Sequence, residues 1–428
     1  MSDVVDFVGV GIGPANLSLA ALAARIPHST SEFFETRSRF EWHPGLLFRD
    51  AMIQVSYVKD LVTLIDPTSP YSFLAFLHRS GRMYRFITAG FPRVLRAEFD
   101  QYFRWVAEQL PNLVFGDRIR AIDFDGKSFT VLSDAKRIRA RHVVLGTGLA
   151  PAVPAFAKGA STIDVLHASE FLTSRPSICG RRIAVIGGGQ TGAEIVLHLL
   201  SEAERLPRHV TWIGRRDGFL PIDDSTFTNE LFFPAHVRRF VHWSRAQRLD
   251  SIARNILASD GISLSTLTAI YQRMYVLDYI ENGPVSWQLL PHSEAIDLHR
   301  RDDAIAVSAL DRTTGTAHLI DADVVIFATG YRYEIPECLD PIIAKIEIES
   351  DGQLCINEDY SVAWMGPSDN RIYVQNGAQH RHGIADPNLS LMAWRSAVIL
   401  NSIYRRTVYE TESAHSTFGW SAPTSTKR

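Results

Sequence analysis

Apolar and polar positions near the start of the chain follow a strand, turn, helix, strand order. Residues 4–10 form a short apolar run that ends in glycines, which is typical of a buried strand followed by a tight turn. Residues 17–24 continue with helical spacing, and residues 31–34 form a second strand pattern that closes with Glu35. The pattern predicts a helix packed beside two strands.

The same order recurs near residue 181, and a less regular segment follows the second copy. Residues 217–285 lose the strand rhythm and are predicted to be mostly helical. The second copy comprises a strand at 182–186, a glycine turn at 187–192, a helix at 193–200 and a strand at 210–213. Other predicted elements are helices at 98–110, 265–275 and 389–404, strands at 140–145 and 323–327, and hairpin-like alternation at 364–376. Two copies favour an α/β fold with two Rossmann-like dinucleotide-binding domains and a small, mainly helical insertion.

Composition narrows the class of protein. The chain has 428 residues, 46% apolar and 21% charged, which suits two or three globular domains. Its net charge of −3 does not indicate a nucleic-acid-binding protein, which would typically be basic. Three cysteines without a CxxC pair exclude a disulfide framework and structural zinc, and favour the cytoplasm. Asp3 and Asp6 stand where a signal peptide would be positive, and no run of about 18 apolar residues occurs, so we expect no stable membrane insertion.

The first glycine turn carries most of a dinucleotide fingerprint. Gly9 and Gly11 suit the tight turn and the close approach of backbone to a pyrophosphate, which rests on the following helix N-terminus. Gly13 precedes Pro14, which replaces the third fingerprint glycine and suits a first helical turn. Glu35, at a strand end, stands where a carboxylate accepts ribose hydroxyls. The alternative is a plain strand–turn–helix with a solvated Glu35.

The second glycine turn is a full G-x-G-x-x-G placed directly after a strand. Gly187, Gly189 and Gly192 are its glycines, with Gln190 and Thr191 between them. The next strand ends in Arg215 and Arg216 instead of an acid. An arginine pair favours a ribose 2′-phosphate through charge-assisted contacts, so this turn is predicted to prefer NADPH. The alternative is an exposed basic turn.

Two Thr-Gly turns also follow buried strands, at 146–148 and at 328–330 with Thr329 and Gly330. Such turns let the chain pass close to a dinucleotide, so together with two nucleotide folds they indicate a flavoprotein. Trp42, His43 and Gln54 are candidates to pack on a flavin or to hydrogen-bond it, and Lys59 is a candidate to hold a substrate carboxylate. A surface loop with a solvated lysine is the alternative.

Other chemistries have less support. His43, His380 and His382 lack a nearby cluster of carboxylate or cysteine ligands, so no metal site is predicted. The sequence contains no nucleophile elbow, paired catalytic carboxylates or P-loop.

From about residue 5 to 404 the chain resembles the N-hydroxylating flavin monooxygenases of siderophore biosynthesis, the lysine N6-hydroxylase and ornithine N5-hydroxylase family. It looks nearest to the lysine hydroxylases of aerobactin-type pathways and to the related diamine hydroxylases. The resemblance rests on the two glycine turns together with Trp42-His43-Pro44-Gly45, Lys59-Asp60-Leu61, Asp66-Pro67-Thr68-Ser69-Pro70, Ala328-Thr329-Gly330-Tyr331 and His382-Gly383-Ile384-Ala385-Asp386.

The resemblance implies FAD in the first nucleotide fold and NADPH in the second. By it, residues 1–170 and 325–428 form the FAD-binding domain, 175–216 and 286–324 the NADPH-binding domain, and 217–285 a substrate-binding segment. It places Gln54 by the flavin, Gln190 and Arg215 on NADPH, and Lys59, Asn229 and Ser390 around the substrate. Gly261 departs from the pattern, because the ornithine enzymes carry another substrate-binding Asn there.

The resemblance also implies the reaction. A C4a-hydroperoxyflavin formed with O₂ hydroxylates the terminal amine of the substrate, so no catalytic side chain is expected. L-lysine is the first choice, with cadaverine, putrescine, 1,3-diaminopropane or L-ornithine as alternatives, and the family suggests a homo-oligomer, a tetramer or dimer. Other classes left open are a disulfide-type flavin reductase, a Baeyer–Villiger or sulfide monooxygenase, and a non-catalytic nucleotide-binding flavoprotein.

Overall fold

The described residues form two larger sheets, two small antiparallel sheets and the helices around them. The computed structural model describes residues 4–202, 205–301, 303–412 and 416–419. The strands are β1 (Val5–Val10), β2 (Ser31–Glu35), β3 (Leu113–Phe115), β4 (Ile119–Phe124), β5 (Phe129–Ser133), β6 (Arg137–Leu145), β7 (Ala150–Pro151), β8 (Val165–His167), β9 (Arg182–Ile186), β10 (His209–Ile213), β11 (Ser286–Leu290), β12 (Ser293–Arg300), β13 (Ile305–Asp311), β14 (Ala317–Ala322), β15 (Val324–Phe327), β16 (Tyr331–Arg332) and β17 (Ile372–Val374). The helices are α1 (Pro14–Ala23), α2 (Phe73–Arg79), α3 (Met83–Ala89), α4 (Arg96–Ala107), α5 (Phe171–Ser174), α6 (Gln190–Ser201), α7 (Pro234–Phe240), α8 (Arg245–Arg254), α9 (Ile256–Asp260), α10 (Leu264–Tyr279), α11 (Gln379–His382) and α12 (Met392–Tyr404).

The first sheet has the order β3-β2-β1-β6-β5-β4 and is parallel from β3 to β6. The first half of β6 pairs antiparallel with β5, and its last residues pair in parallel with β17. Phe7 of β1 and Phe33 of β2 are fully buried and meet edge to face at 5.7 Å. Helix α1 packs against α12 and α4, so the chain's last helix covers the first glycine turn's helix.

The second sheet is fully parallel, with the order β11-β10-β9-β15-β8. Its central strands β9 and β15 are almost continuous apolar runs because both faces are covered, whereas the edge strand β11 is largely exposed. Strands β8 and β15 pair here, in the second sheet, although β8 and most of β15 fall within the segments predicted for the first nucleotide fold. The sequence could not indicate this pairing, because strand pairing between distant segments leaves no local pattern.

Two parts of the predicted pattern are refined by the structure. Residues 217–285 are mainly helical, as predicted, with a 3-10 helix at Thr228–Phe232 followed by α7 to α10. The alternation at 364–376 gives only a short antiparallel pairing, in which the Val362 amide donates to the Ile372 carbonyl at 2.7 Å. The sequence pattern missed the antiparallel meander β12-β13-β14, whose last strand exposes most of its residues.

Two buried histidines make the folded protein sensitive to acid. The His142 Nδ1 accepts the Arg371 amide at 3.1 Å, and His382 stacks on Tyr360 at 3.9 Å with its Nε2 bonded to the Glu358 carbonyl. Burial lowers the pKa of each imidazole to about 4. An unfolded histidine titrates near 6.5, so between these values the unfolded chain binds more protons and folding weakens as pH falls.

We therefore expect the free energy of unfolding to fall by about 1 kcal/mol per buried histidine between pH 6 and pH 5. Urea unfolding of the protein and of His382→Gln at both pH values measures this effect. In the variant, the free energy of unfolding should change less between pH 6 and pH 5, by one histidine's contribution. An unchanged difference between the two pH values would show that His382 does not contribute.

Candidate functional site

The first glycine turn is pressed against the loop at residues 146–148. Gly11 has φ +84°, and a Cβ on it would lie 2.5 Å from the Gly146 carbonyl oxygen. A Cβ on Gly13 would meet nothing within 4 Å, and Pro14 is the first residue of α1. Pro14 thus occupies the first helical turn, as predicted, and the space over Gly13 at the helix N-terminus is open.

Glu35 and Asn16 fix this turn from two sides. The Glu35 carboxylate accepts the amides of Ile12 and Arg37, both at 3.0 Å, and its remaining lone pairs can still accept hydroxyls. The fully buried Asn16 donates to the Gly11 carbonyl at 2.8 Å and accepts from Gln375 at 2.9 Å. Sequence reasoning missed Asn16, whose only signal is an amide in an apolar helix.

The second glycine turn has a tighter geometry. Gly187 has φ +138°, and a Cβ on it would lie 2.0 Å from the Ala328 carbonyl oxygen. A Cβ on Gly192 would lie 2.1 Å from the Gly187 oxygen, so α6 packs closely on β9, whereas Gly189 has only the Asp260 carbonyl at 3.8 Å. These are the three separate requirements of a G-x-G-x-x-G turn.

Each Thr-Gly turn lies beside one glycine turn. The Gly146 amide donates to the Val10 carbonyl and the Ala328 amide to the Ile186 carbonyl, both at 2.8 Å. The Thr329 hydroxyl donates to the Ala152 carbonyl at 2.8 Å, and Gly330 has φ +80°. Both nucleotide folds therefore carry the same pair of turns at the carboxyl ends of their central strands.

Trp42 and His43 lie close to α4 and to Tyr331. The Trp42 amide donates to Asp100 at 3.1 Å, and the His43 ring lies 6.3 Å from that of Tyr331. His43 has exposed surface although protein surrounds it on most sides. This enclosure, with Arg96 nearby, lowers its pKa to about 4, so His43 is neutral at pH 7.

The two predicted glutamines meet between the nucleotide folds. The Gln54 Nε2 lies 3.4 Å from the Gln190 Oε1 and 3.2 Å from the Ser263 hydroxyl. The Gln190 Oε1 also accepts the Ser263 amide at 2.7 Å, and its Nε2 donates to Glu194 at 2.9 Å. Thr191 follows Gln190 in the first turn of α6.

Arg215 lies at the end of β10 with 71% of its side chain exposed. Its nearest carboxylate, Glu294, is 3.8 Å away, so the guanidinium is available to an anion. Arg312, which sequence reasoning missed, donates to the Arg215 carbonyl at 3.4 Å, and Arg216 donates to the Asp260 carbonyl at 2.9 Å. Three arginines from two segments of the chain thus lie near the end of β10.

Lys59 and Ser390 come together directly, with Nζ and Oγ 3.1 Å apart. Burial and the neighbouring Arg93 lower the pKa of Lys59.

Arg93, which sequence reasoning also missed, donates to the Gln54 carbonyl at 2.6 Å and to the Asp224 carboxylate at 2.8 Å. Asn229 does not join this contact, since its amide donates to the Asp224 carbonyl at 2.8 Å. Asp224 thus links Asn229 to Arg93.

Gly261 leaves no room for a side chain. A Cβ on it would lie 2.3 Å from the Ile222 Cα. We expect Gly261→Asn to lower the free energy of unfolding by about 1–3 kcal/mol through overpacking. Gly283→Asn is the matched control for urea unfolding, because Gly283 is open and its φ of +63° suits asparagine. Equal stability of the two variants would contradict this expectation.

The described residues hold no cluster of three or more potential metal ligands, and none of their helices has the length and apolar character needed to cross a membrane. All three cysteines are free, and burial raises the pKa of Cys338 to about 11. A disulfide-type flavin reductase would need a redox-active cysteine pair, which these residues do not form.

Comparison with known proteins agrees with this arrangement. The L-lysine 6-monooxygenase/L-ornithine 5-monooxygenase family matches residues 3–333. The L-lysine N6-monooxygenase of Escherichia coli is 36% identical over 426 residues, covering 99% of this chain and 100% of that protein. The FAD-bound cadaverine monooxygenase DfoA of Erwinia amylovora has a TM-score of 0.91 and 30% identity, covering 97% and 99% of the two chains. The ornithine N-hydroxylase of Kutzneria sp. 744, solved with reduced FAD, NADP⁺ and L-ornithine, has a TM-score of 0.87 and 31% identity, covering 94% and 99%. The chain belongs to the L-lysine 6-monooxygenase/L-ornithine 5-monooxygenase family.

Proposed function

We propose that this protein is an FAD- and NADPH-dependent monooxygenase that hydroxylates the terminal amine of L-lysine to N6-hydroxylysine for hydroxamate siderophore biosynthesis. The observation that carries the choice of an amino acid is the half-buried Lys59, bonded to Ser390 and close to Arg93. Among the described residues no carboxylate pairs with Lys59, whereas Arg93 is already paired with Asp224 at 2.8 Å, so it is the Lys59 ammonium that suits a substrate carboxylate. The full-length identity to a lysine N6-monooxygenase supports the same substrate.

The two glycine turns fit the two cofactors. Gly9, Gly11, Gly13 and Pro14 would hold the FAD pyrophosphate at the N-terminus of α1, with Glu35 on the ribose and Trp42, His43 and Gln54 toward the flavin. The open space over Gly13 supports this assignment.

The second turn would hold NADPH. Gly187, Gly189, Gln190, Thr191 and Gly192 would hold the pyrophosphate at α6, with Thr329 and Gly330 alongside and Arg215 on the 2′-phosphate. We assign the first sheet to the FAD-binding domain, the second sheet including β8 and β15 to the NADPH-binding domain, and residues 217–285 to substrate binding. The exposed Arg215 and the open Gly189 support this layout.

When bound, FAD and NADPH supply the redox chemistry with O₂ as the oxidant, and the chain's own residues position the amine. An ordinary lysine amine has a pKa of about 10.4, so under about 0.1% is neutral and nucleophilic at pH 7. Lys59 would anchor the carboxylate at one end of the substrate, and the site must hold the amine at the other end in its neutral form.

A diamine is the second candidate, because the cadaverine monooxygenase of Erwinia amylovora shares the fold at a TM-score of 0.91. Lys59 would repel the second ammonium of such a substrate, which favours lysine. L-ornithine has less support, because Gly261 cannot carry the asparagine that the ornithine enzymes place there.

Hydroxylamine formed per NADPH consumed, with FAD added, tests the proposal. The panel is lysine, ornithine, cadaverine, putrescine and 1,3-diaminopropane. Tight coupling with lysine alone is expected, and tight coupling with a diamine would overturn the choice of substrate. A flavin spectrum that NADPH cannot bleach would indicate a non-catalytic flavoprotein instead.

We also propose a cytoplasmic homo-oligomer. The three free cysteines suit a reducing compartment. Tyr271, Tyr275 and Tyr279 form an exposed aromatic stripe along α10, which is a candidate contact between copies of the chain in a dimer or tetramer.

A further inference from the structure

A buried ion pair joins the two nucleotide folds. Arg96, the first residue of α4, reaches Glu194 of α6 with two hydrogen bonds of 2.7 and 2.9 Å. Only 13% and 6% of the two side chains are exposed. Such a bidentate pair fixes both position and orientation.

Arg96 is anchored on the side of the first fold. Its Nη1 also donates to the Leu46 carbonyl at 2.7 Å, within the turn that follows Trp42 and His43. The Arg96 charge contributes to the low pKa of His43, so the guanidinium lies close to His43. Arg96 thus connects the turn after His43 to helix α6.

Glu194 has a second partner on its own helix. It accepts the Gln190 Nε2 at 2.9 Å, which leaves the Gln190 Oε1 facing the Ser263 amide and Gln54. The carboxylate therefore determines which end of the Gln190 amide points toward the first fold. Gln190 is the first residue of α6, directly after the open Gly189.

The charge of Glu194 poses an electrostatic problem. It lies four residues along α6 from Gln190, about 6 Å along the helix axis. The N-terminus of α6 is where a pyrophosphate would rest, and a buried carboxylate that close repels an anion unless a cation neutralises it. Arg96 is that cation.

We propose that Arg96 and Glu194 are positioning residues for NADP(H): Glu194 orients the Gln190 carboxamide, and Arg96 neutralises Glu194 so that the α6 N-terminus accepts a pyrophosphate. The inference rests on the proposed NADPH binding at the second glycine turn. Removing Arg96 alone is therefore expected to weaken NADP⁺ binding more than removing both Arg96 and Glu194.

Titration calorimetry of NADP⁺ into FAD-loaded protein tests this order of affinities. It is run on the wild type, Arg96→Met, Glu194→Gln and the double variant. We expect Arg96→Met to raise the Kd about 10- to 100-fold, because it leaves an unpaired buried carboxylate. Glu194→Gln should raise the Kd less than about fivefold, and the double variant should recover most of the loss in Arg96→Met.

Arg96→Lys keeps the charge and serves if Arg96→Met does not fold; it should stay within about fivefold of the wild type. Arg182→Met is the matched control, because Arg182 pairs with Asp323 through two bonds at the opposite end of β9. It should lower the melting temperature without changing the Kd.

Additive losses in the double variant, or an unchanged Kd in Arg96→Met, would overturn the inference while NADP⁺ still binds the wild type. Failure of the wild type to bind NADP⁺ would instead contradict the proposed function.

Discussion

Gly187→Ala is expected to lower kcat/KM for NADPH about 100-fold while FAD stays bound. The new Cβ would lie 2.0 Å from the Ala328 carbonyl oxygen, and the φ of +138° is one that L side chains rarely adopt. The turn must move by about 1 Å to relieve this contact, and a misplacement of that size costs about 100-fold in rate. Steady-state kinetics against NADPH, with the flavin content from absorbance, measure both effects.

Gly189→Ala is the matched control within the same turn. Its Cβ would meet only the Asp260 carbonyl, at 3.8 Å, so the fold should keep its stability. Any loss of NADPH affinity in that variant would show that the ligand lies against the backbone at residue 189, where the new methyl group blocks it. Loss of FAD from Gly187→Ala with an unchanged KM for NADPH would show that the two cofactors are assigned to the wrong turns.

The glycine turns could be predicted because their requirements are local. The strand, the turn and the helix that follow one another at Gly11 and at Gly187 each leave a pattern in neighbouring residues. The two Thr-Gly turns were also recognised, but only the structure shows that each lies beside one glycine turn. Adjacent parallel strands bring together segments that are more than 100 residues apart.

The arginines that join distant segments could not be predicted, because such contacts leave no local pattern. Arg93, Arg96 and Arg312 resemble ordinary surface arginines in the sequence, and the residues that accept from them, Asp224, Glu194 and Arg215, lie 131, 98 and 97 residues away. The pairing of β15 with β8 and β9 in the second sheet is also a contact between distant segments. Charged pairs of this kind carry no periodicity, so only the folded chain identifies them.

Lys59→Ala is expected to raise the KM for L-lysine about 10- to 100-fold. A hydrogen bond between two charged groups contributes about 1.5–3 kcal/mol, which corresponds to that range. Lys59 is half-buried and bonded to Ser390, so it is held in place before the substrate arrives. NADPH oxidation should continue in the variant, because Lys59 lies outside both glycine turns.

The response to cadaverine separates an anchoring role from a structural one. Removing Lys59 also removes a cation that repels a second ammonium, so the KM for cadaverine should stay equal or fall. Lys59→Arg, which keeps the charge, should restore much of the affinity for lysine. Since burial and Arg93 lower the pKa of Lys59, the KM for lysine should rise with pH before an ordinary lysine would lose its proton. An equal rise in KM for lysine and cadaverine would show that Lys59 supports the pocket without binding a carboxylate, and an unchanged KM for the best substrate would show that this substrate has none.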